Sequence, residues 1–179
     1  MFDPRKTVLL VMDMQGNLAL RMHESEQLFI HIKALIKMAR ILNIPILWTE
    51  QAPEKIGATV EDIAKELTGI NVMKKQTFSC YAAGDFQEEL EKLKRKQIIV
   101  CGIETHVCIF QTAMDLLAAH YQLQIVTDAV SSRKLSDKTT ALNRLFSEGA
   151  ALTSTEMIAT ELIRGADHPQ FKEILGLIR

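Results

Sequence analysis

Short apolar runs alternate along this chain with longer stretches of helical periodicity, and no other feature of the sequence restricts the fold as much. Six of the runs have the length and β-branched content of strands: TVLLVMD, IPILWTEQ, INVMK, KQIIVCG, QIVTD and AALT. Helical patterns separate most of them, which is typical of parallel βαβ units. The sequence therefore predicts a three-layer α/β/α fold of Rossmann-like architecture, with a mostly parallel sheet of about six strands.

Apolar residues at helical spacing predict helices that cover this sheet. In residues 25–42, apolar side chains recur three and four positions apart at Leu28, Ile32, Leu35, Ile36, Ala39 and Leu42. That stripe predicts a helix packed on the sheet. Residues 86–96 predict a surface helix, with Asp85 as its N-cap and Glu88 closing a capping box. The long connection after the second strand is expected to hold a turn of helix near residues 60–67.

Length, charge and cysteine content restrict the partners and the location. The chain has 179 residues, enough for one substantial core, so we predict a single domain over residues 1–179. A formal net charge of −1 attracts neither nucleic acid nor anionic lipid, so neither is expected as a partner. Asp13 ends the first apolar run too early for a signal peptide or a membrane span. Three cysteines without a Cys-x-x-Cys pair predict free thiols in a reducing cytoplasm.

The sequence carries no motif for a familiar cofactor. Neither the dinucleotide fingerprint G-x-G-x-x-G nor the phosphate loop G-x-x-x-x-G-K-[ST] occurs. The five histidines are scattered and show no metal-ligand spacing. We therefore expect no cofactor and no metal.

Three polar residues follow predicted strands, and they are the candidates for chemistry. Asp13 follows VLLVM, Lys75 follows INVMK, and Cys108 lies shortly after KQIIVCG. The carboxyl ends of parallel strands meet at one edge of a sheet, so these side chains are expected to converge. A thiol at a helix start near a lysine is expected to be a thiolate at neutral pH. Asp13 could then move the thiol proton, which makes an Asp-Lys-Cys triad plausible.

Plainer interpretations compete with the triad. A free cysteine between Val107 and Ile109 is more commonly a small buried side chain, and spacing alone favours that. Cys80 and Cys101 are interpreted as packing residues or pocket walls. A Cys-His dyad with His106 is disfavoured, because residues two apart at a helix start do not face each other.

Six segments in order resemble the isochorismatase-like superfamily, and together they span nearly the whole chain. They are LLVMDMQ, WTEQAPEKIG, KQTFS, CGIETHVCIFQTAMDLL, VTDAVSSR and TSTEMIATEL. The resemblance implies a cysteine hydrolase for which Asp13 is the general base and acid, Lys75 the electrostatic partner and Cys108 the nucleophile.

The resemblance also implies a pocket and an oxyanion hole. A cis peptide bond is expected at Ile103-Glu104, directing the backbone N–H groups of Glu104 and Cys108 toward one point. Gln51 and Phe78 are expected in the substrate pocket. The family also implies a small-molecule substrate and a homo-oligomer.

Two departures from the patterns of known family members narrow the choice of reaction. Where nicotinamidases carry a metal-binding Asp-x-His, this chain has Trp48-Thr49-Glu50-Gln51. Hydrolysis of isochorismate itself needs no thiol, so Cys108 favours cleavage of an amide or related C–N bond. Ester, nitrile and ureido bonds stay open. The alternatives are a redox or stress-linked module in which Cys108 is oxidised, and a protein that keeps the fold without the chemistry.

Overall fold

The computed structural model describes residues 1–178 and contains a parallel sheet with helices on both faces. Within those residues the sheet has six strands: β1 (Thr7–Met12), β2 (Ile46–Gln51), β3 (Val72–Lys75), β4 (Gln97–Ile103), β5 (Gln122–Ser131) and β6 (Ala151–Thr153). Their spatial order is β3-β2-β1-β4-β5-β6, and each neighbouring pair runs parallel. The predicted three-layer fold is confirmed, with a sheet that is wholly rather than mostly parallel.

The helices follow the strands as the periodicity predicts. They are α1 (Gly16–Leu20), α2 (Ser25–Ile41), α3 (Pro53–Ile56), α4 (Glu61–Ala64), α5 (Gly84–Lys92), α6 (Phe110–Ala118), α7 (Leu135–Ser147), α8 (Thr155–Ile163) and α9 (Phe171–Leu177). A 3-10 turn, Lys65–Leu67, extends α4, so the expected helix near residues 60–67 is present. A π-helical turn, Thr105–Ile109, leads directly into α6. None of the helices within residues 1–178 combines the length and apolar character needed to cross a bilayer.

Two hydrophobic clusters, one on each face of the sheet, hold the layers together. Alternate residues of β1 point to opposite faces, so Leu9 and Val11 join the cluster under α2 and α8, while Val8 and Leu10 join the one under α6. The predicted stripe of α2 is buried from Leu28 to Ala39. Each fully buried side chain of this size contributes about 1.5–3 kcal/mol, so the paired clusters are the main stabilising element.

The predicted cap of α5 is wrong. The helix begins at Gly84, one residue before Asp85, and Ala83 is the N-cap residue without a side-chain hydrogen bond. The Ala83 carbonyl instead accepts the N–H groups of Phe86 and Gln87. Asp85 and Glu88 therefore lie inside the helix, where an acidic Asp85 still interacts favourably with the positive end of the dipole.

The chain reverses its direction of travel across the sheet at β1. It runs outward from β1 through β2 to β3, then returns to place β4 on the other side of β1. Such a reversal opens a crevice beyond the carboxyl ends of the two strands, the usual ligand site of parallel sheets. Asp13 follows one of these strands and Glu104 follows the other.

A glycine in β4 allows the close approach of β1 and β4 at this crevice. Gly102 has φ +121, and a Cβ there would overlap the Met12 backbone. We expect Gly102→Ala to destabilise the protein by at least about 3 kcal/mol, since it adds a backbone clash to an unfavourable φ. Urea unfolding followed by circular dichroism measures the difference.

Gly69→Ala is the matched control for that measurement. Gly69 also has a positive φ, +83, but a Cβ there would meet nothing within 4 Å. The free energy of unfolding of this variant should fall by no more than about 1–3 kcal/mol. Equal losses of stability in the two variants would show that overlap of the added Cβ with the Met12 backbone contributes nothing.

Candidate active site

A buried ion pair lies where β1 and β3 end. Lys75 Nζ is 2.7 Å from Asp13 Oδ2, and both side chains are almost fully buried. The ammonium also donates to Gln51 Oε1 at 2.7 Å and to the Phe78 carbonyl at 3.2 Å. A buried charge is tolerated only when it is paired and hydrogen-bonded, and these contacts meet that requirement.

The second oxygen of the Asp13 carboxylate is held by a neighbouring strand. Thr49 Oγ1, in β2, donates to Asp13 Oδ1 at 2.8 Å. The Asp13 backbone N–H donates to the Thr49 carbonyl at 3.1 Å, and Asp13 itself has φ +54. Both carboxylate oxygens are thus fixed before any ligand binds.

Lys75 is an ammonium ion in this setting. Burial lowers its pKa, but the negative charge of Asp13 and its hydrogen bond to the ammonium act in the opposite direction, and the pKa is raised above its usual value. Lys75 therefore carries its positive charge at neutral pH, opposite the Asp13 carboxyl group.

Cys108 reaches the same place from β4. The Ile103-Glu104 peptide bond is cis, as expected from the sequence. The Glu104 carbonyl accepts the N–H groups of Val107 and Ile109, which closes the π-helical turn that contains Cys108. Cys108 is 7% exposed and shares a cavity with Asp13.

The expectation of a resting Cys108 thiolate is not met. Burial, together with the negative charge of Asp13, raises the pKa of the Cys108 thiol to about 12, although Lys75 acts in the opposite direction. Desolvation is the largest effect on this thiol, and it depends on packing that the lysine and the helix start in the sequence do not reveal. The thiol is therefore protonated at neutral pH, with a carboxylate beside it.

The cavity between these groups is small and mainly apolar. Its volume is about 90 Å³, and it is lined by Asp13, Gln15, Leu18, Gln51, Ile56, Phe78, Ile103, Glu104, Val107 and Cys108. Gln51 and Phe78 are among the lining residues, whereas Lys75 is not and contacts Asp13 from behind the cavity wall.

Two residues of the site were not predicted from the sequence. Thr49 fixes Asp13, and Gln15 fixes the loop that forms one cavity wall. Gln15 Nε2 donates to the carbonyls of Gln51 and Gly57, at 3.0 Å and 2.6 Å, while its Oε1 accepts the Gln51 N–H at 2.7 Å. Thr49 and Gln15 lie in two of the segments that resemble the family, WTEQAPEKIG and LLVMDMQ, and that resemblance is the one feature of the sequence that points to them.

The remaining thiols and His106 lie outside the cavity lining. Cys80 Sγ donates to Thr49 Oγ1 at 3.6 Å, and burial raises the pKa of this thiol to about 12. Cys101 is packed on the opposite face of the sheet. His106 Nδ1 is 2.9 Å from Ser132 Oγ, so it faces away from Cys108. Within residues 1–178, no group of three or more His, Cys, Asp and Glu side chains could hold a metal.

Comparison with protein families and curated proteins gives a consistent result. A family model described as the isochorismatase domain matches residues 7–157. Isochorismatase domain-containing protein 2 of Rattus norvegicus is 37% identical over 177 residues, covering 98% of this chain and 82% of that protein. Isochorismatase family protein 1A of Dictyostelium discoideum is 36% identical over 180 residues, covering 98% and 87%.

Solved structures share the same architecture. The MAR1 ribonuclease of Caenorhabditis elegans superposes with a TM-score of 0.93 at 35% identity, covering 99% of this chain and 91% of that one. YcaC of Escherichia coli, described as an octameric hydrolase of unknown specificity, gives a TM-score of 0.88 at 21% identity, covering 98% and 94%. At that lower identity the likeness shows the fold alone.

The raised pKa of Cys108 generates a prediction about its alkylation. Because only the thiolate reacts, labelling by iodoacetamide should rise about tenfold per pH unit between pH 7 and 10, without levelling off. Asp13→Asn removes a charge that raises the pKa of Cys108, so labelling should become faster at a fixed pH. Lys75→Met removes a charge that lowers it, so labelling should become slower.

Peptide mass spectrometry assigns the label to each cysteine. Cys101, wholly buried, is the internal control and should stay unlabelled until the chain unfolds. A labelling rate that levels off below pH 8 would contradict the assignment of a protonated resting thiol.

Proposed function

Because the chain belongs to the isochorismatase family, we propose that it is a cysteine hydrolase that cleaves the C–N bond of a small amide. Asp13, Lys75 and Cys108 form its catalytic unit. One observation supports this proposal above all. The Asp13 carboxylate is paired with the buried ammonium of Lys75, and it also lines, together with the Cys108 thiol, the cavity in the crevice beyond β1 and β4. Family membership by itself supports the coarser statement, a hydrolase.

The reaction begins with transfer of a proton from Cys108 to Asp13. The sulfur forms a bond with the amide carbonyl carbon, and the carbonyl π electrons move to its oxygen. The backbone N–H groups of Glu104 and Cys108 stabilise that oxyanion. The C–N bond then breaks, and the departing nitrogen takes the proton from Asp13, leaving an acyl-thioester on Cys108.

Water completes the cycle through the same groups. Asp13 accepts a proton as water attacks the thioester carbon, and the proton returns to the departing sulfur, which releases a carboxylic acid. Lys75 keeps the net charge of the three groups at zero, both with the carboxylate at rest and with the thiolate after the proton has moved to Asp13. Without the ammonium, the unit would carry one uncompensated negative charge in a buried site.

The protonated resting thiol supports hydrolysis over the redox alternative. Oxidation by peroxide requires an exposed thiolate, whereas Cys108 is buried and its pKa is raised to about 12. In the proposed reaction no resting thiolate is needed, because Asp13 lies beside the thiol and receives its proton when the substrate is bound. Esters, nitriles and ureido compounds could undergo the same first step.

The name of one structural relative raises RNA as a second substrate. No observation on this chain favours it, since the net charge is −1 and Cys108 borders a cavity of about 90 Å³. Polymer binding requires a positively charged surface that neutralises phosphates. RNA therefore serves as the comparison substrate in activity assays.

A homo-oligomer in a reducing cytoplasm fits this function best. Cys80, Cys101 and Cys108 are free and buried, and a reducing compartment keeps them so. Phe78 lines the cavity yet is 52% exposed, a position that a neighbouring subunit could cover.

Loss of any member of the catalytic unit should abolish turnover. Cys108→Ser, Asp13→Asn and Lys75→Met should each lower kcat/KM for a short amide by at least about 1000-fold, and combining them should add little because they act as one unit. Ammonia release, monitored by a coupled assay, gives the rates.

Two further variants separate catalysis from folding in that experiment. The double variant Asp13→Asn with Lys75→Met removes both buried charges, so it should fold at least as well as the single variants yet stay inactive. Lys74→Met changes an exposed neighbour and should leave turnover intact. Retained activity in the double variant would rule out the proposed unit.

Thr49 should be a positioning residue for Asp13. Thr49→Val keeps the side-chain shape but removes the hydroxyl that holds Oδ1, so we expect kcat to fall about tenfold with KM little changed, and Thr49→Ser to restore it. Thr7→Val is the matched control, because Thr7 is equally buried but donates to the Asp3 carbonyl at the opposite end of β1. If both valine variants lose only stability, Thr49 is structural.

A further inference from the structure

The cavity beside Cys108 restricts the size of the group that can bind there. Its volume of about 90 Å³ lies well below that of ordinary ligand pockets, roughly 300–1,000 Å³. The walls that surround the thiol are mostly aliphatic or aromatic: Leu18, Ile56, Phe78, Ile103 and Val107. An acyl group placed here has to be short and apolar.

The charges around the cavity are arranged against an anionic ligand. Asp13 and Glu104 line it, and both carry carboxylates. The two cations beside them lie on the far side of those carboxylates: Lys75 Nζ binds Asp13 at 2.7 Å, and Arg133 Nε binds Glu104 Oε1 at 2.9 Å. No lysine, arginine or histidine is among the lining residues in the described part of the chain.

The side-chain donors near the cavity are already used within the protein. Lys75 Nζ has three N–H donors and lies within hydrogen-bond distance of Asp13, Gln51 and the Phe78 carbonyl, as well as the Thr77 carbonyl. Gln51 Nε2 donates to the Gln76 carbonyl at 2.8 Å. Gln15 Nε2 donates to two backbone carbonyls. These side chains offer nothing for recognition of a substrate carboxylate.

We propose that the site selects uncharged amides with a short aliphatic acyl group, about two to four carbons long, and rejects molecules that carry a carboxylate. The identity of the bond that is cleaved rests on the proposed function. The selection by size and charge is a property of the cavity, and it applies to any reagent that must reach Cys108.

Two alkylating reagents of nearly equal size test the charge selection without any turnover. Iodoacetamide is neutral and iodoacetate is an anion, and both modify Cys108 by loss of iodide. Rates on folded protein are divided by rates on urea-unfolded protein, which removes the intrinsic difference between the reagents. Iodoacetamide should be favoured about 100-fold, because both carboxylates line the cavity while the cations paired with them are not among its lining residues.

Substitutions in the cavity should change these preferences separately. Glu104→Gln removes one lining charge and should cut the preference for iodoacetamide about tenfold, whereas Glu148→Gln, at an exposed carboxylate beyond α7, should leave it unchanged. Ile56→Ala should speed labelling by the bulkier N-phenyl iodoacetamide without changing the charge preference. Equal normalised rates for iodoacetamide and iodoacetate on the parent protein would overturn the proposal.

Turnover distinguishes a failure of this proposal from a failure of the proposed function. Propionamide should be hydrolysed at least about 100-fold faster than succinamate, and hexanamide should be slower than propionamide. Efficient hydrolysis of succinamate overturns the selection by charge. If none of the amides reacts while Cys108 still prefers iodoacetamide, the proposed amide hydrolysis is wrong and the selection by the cavity is supported.

Discussion

The buried pair of Asp13 and Lys75 is the interaction on which the rest of the site depends. Two opposite charges removed from water stabilise a protein only if geometry and hydrogen bonds compensate for lost hydration, and removal of one partner costs about 3–5 kcal/mol. Compensation here comes from three strands: Asp13 directly follows β1, β2 supplies Thr49 and Gln51, and β3 carries Lys75. The order of these strands is therefore as important to the site as the residues.

The same dry environment explains why the thiol is not ionised at rest. Burial that strengthens the ion pair also disfavours a second anion, and the Asp13 charge adds to that effect. In the proposed reaction the nucleophile forms only as the substrate reacts, so the resting thiol reacts slowly with electrophiles in solution. The carboxylate that opposes its ionisation is also the group that would accept its proton. Asp13 therefore both disfavours ionisation of the resting Cys108 thiol and, in the proposed reaction, accepts its proton.

Much of the fold and part of the site could be predicted from the sequence, because strand ends and hydrophobic periodicity are local features. Asp13, Lys75 and Cys108 were placed at strand ends, and the structure brings them together. The pKa of Cys108 was mispredicted because desolvation depends on packing of the whole chain. Thr49 was missed because a buried threonine in a strand looks like any β-branched residue. The short helices α1 and α3 carry too few turns for a periodic signal.

Alternation along one strand links the ion pair to the shape of the cavity. Side chains two apart in β2 point to the same face, so Thr49 and Gln51 both reach the ion pair, while Glu50 points away and accepts from the N–H and hydroxyl of Thr59, at 2.7 Å and 2.8 Å. Thr59 pairs in turn with Gln15, whose amide also fixes Gln51 and Gly57. A single strand end therefore supplies hydrogen bonds to the buried ion pair and also fixes the loop carrying Ile56, so the proposed chemistry and the proposed size limit depend on the same segment.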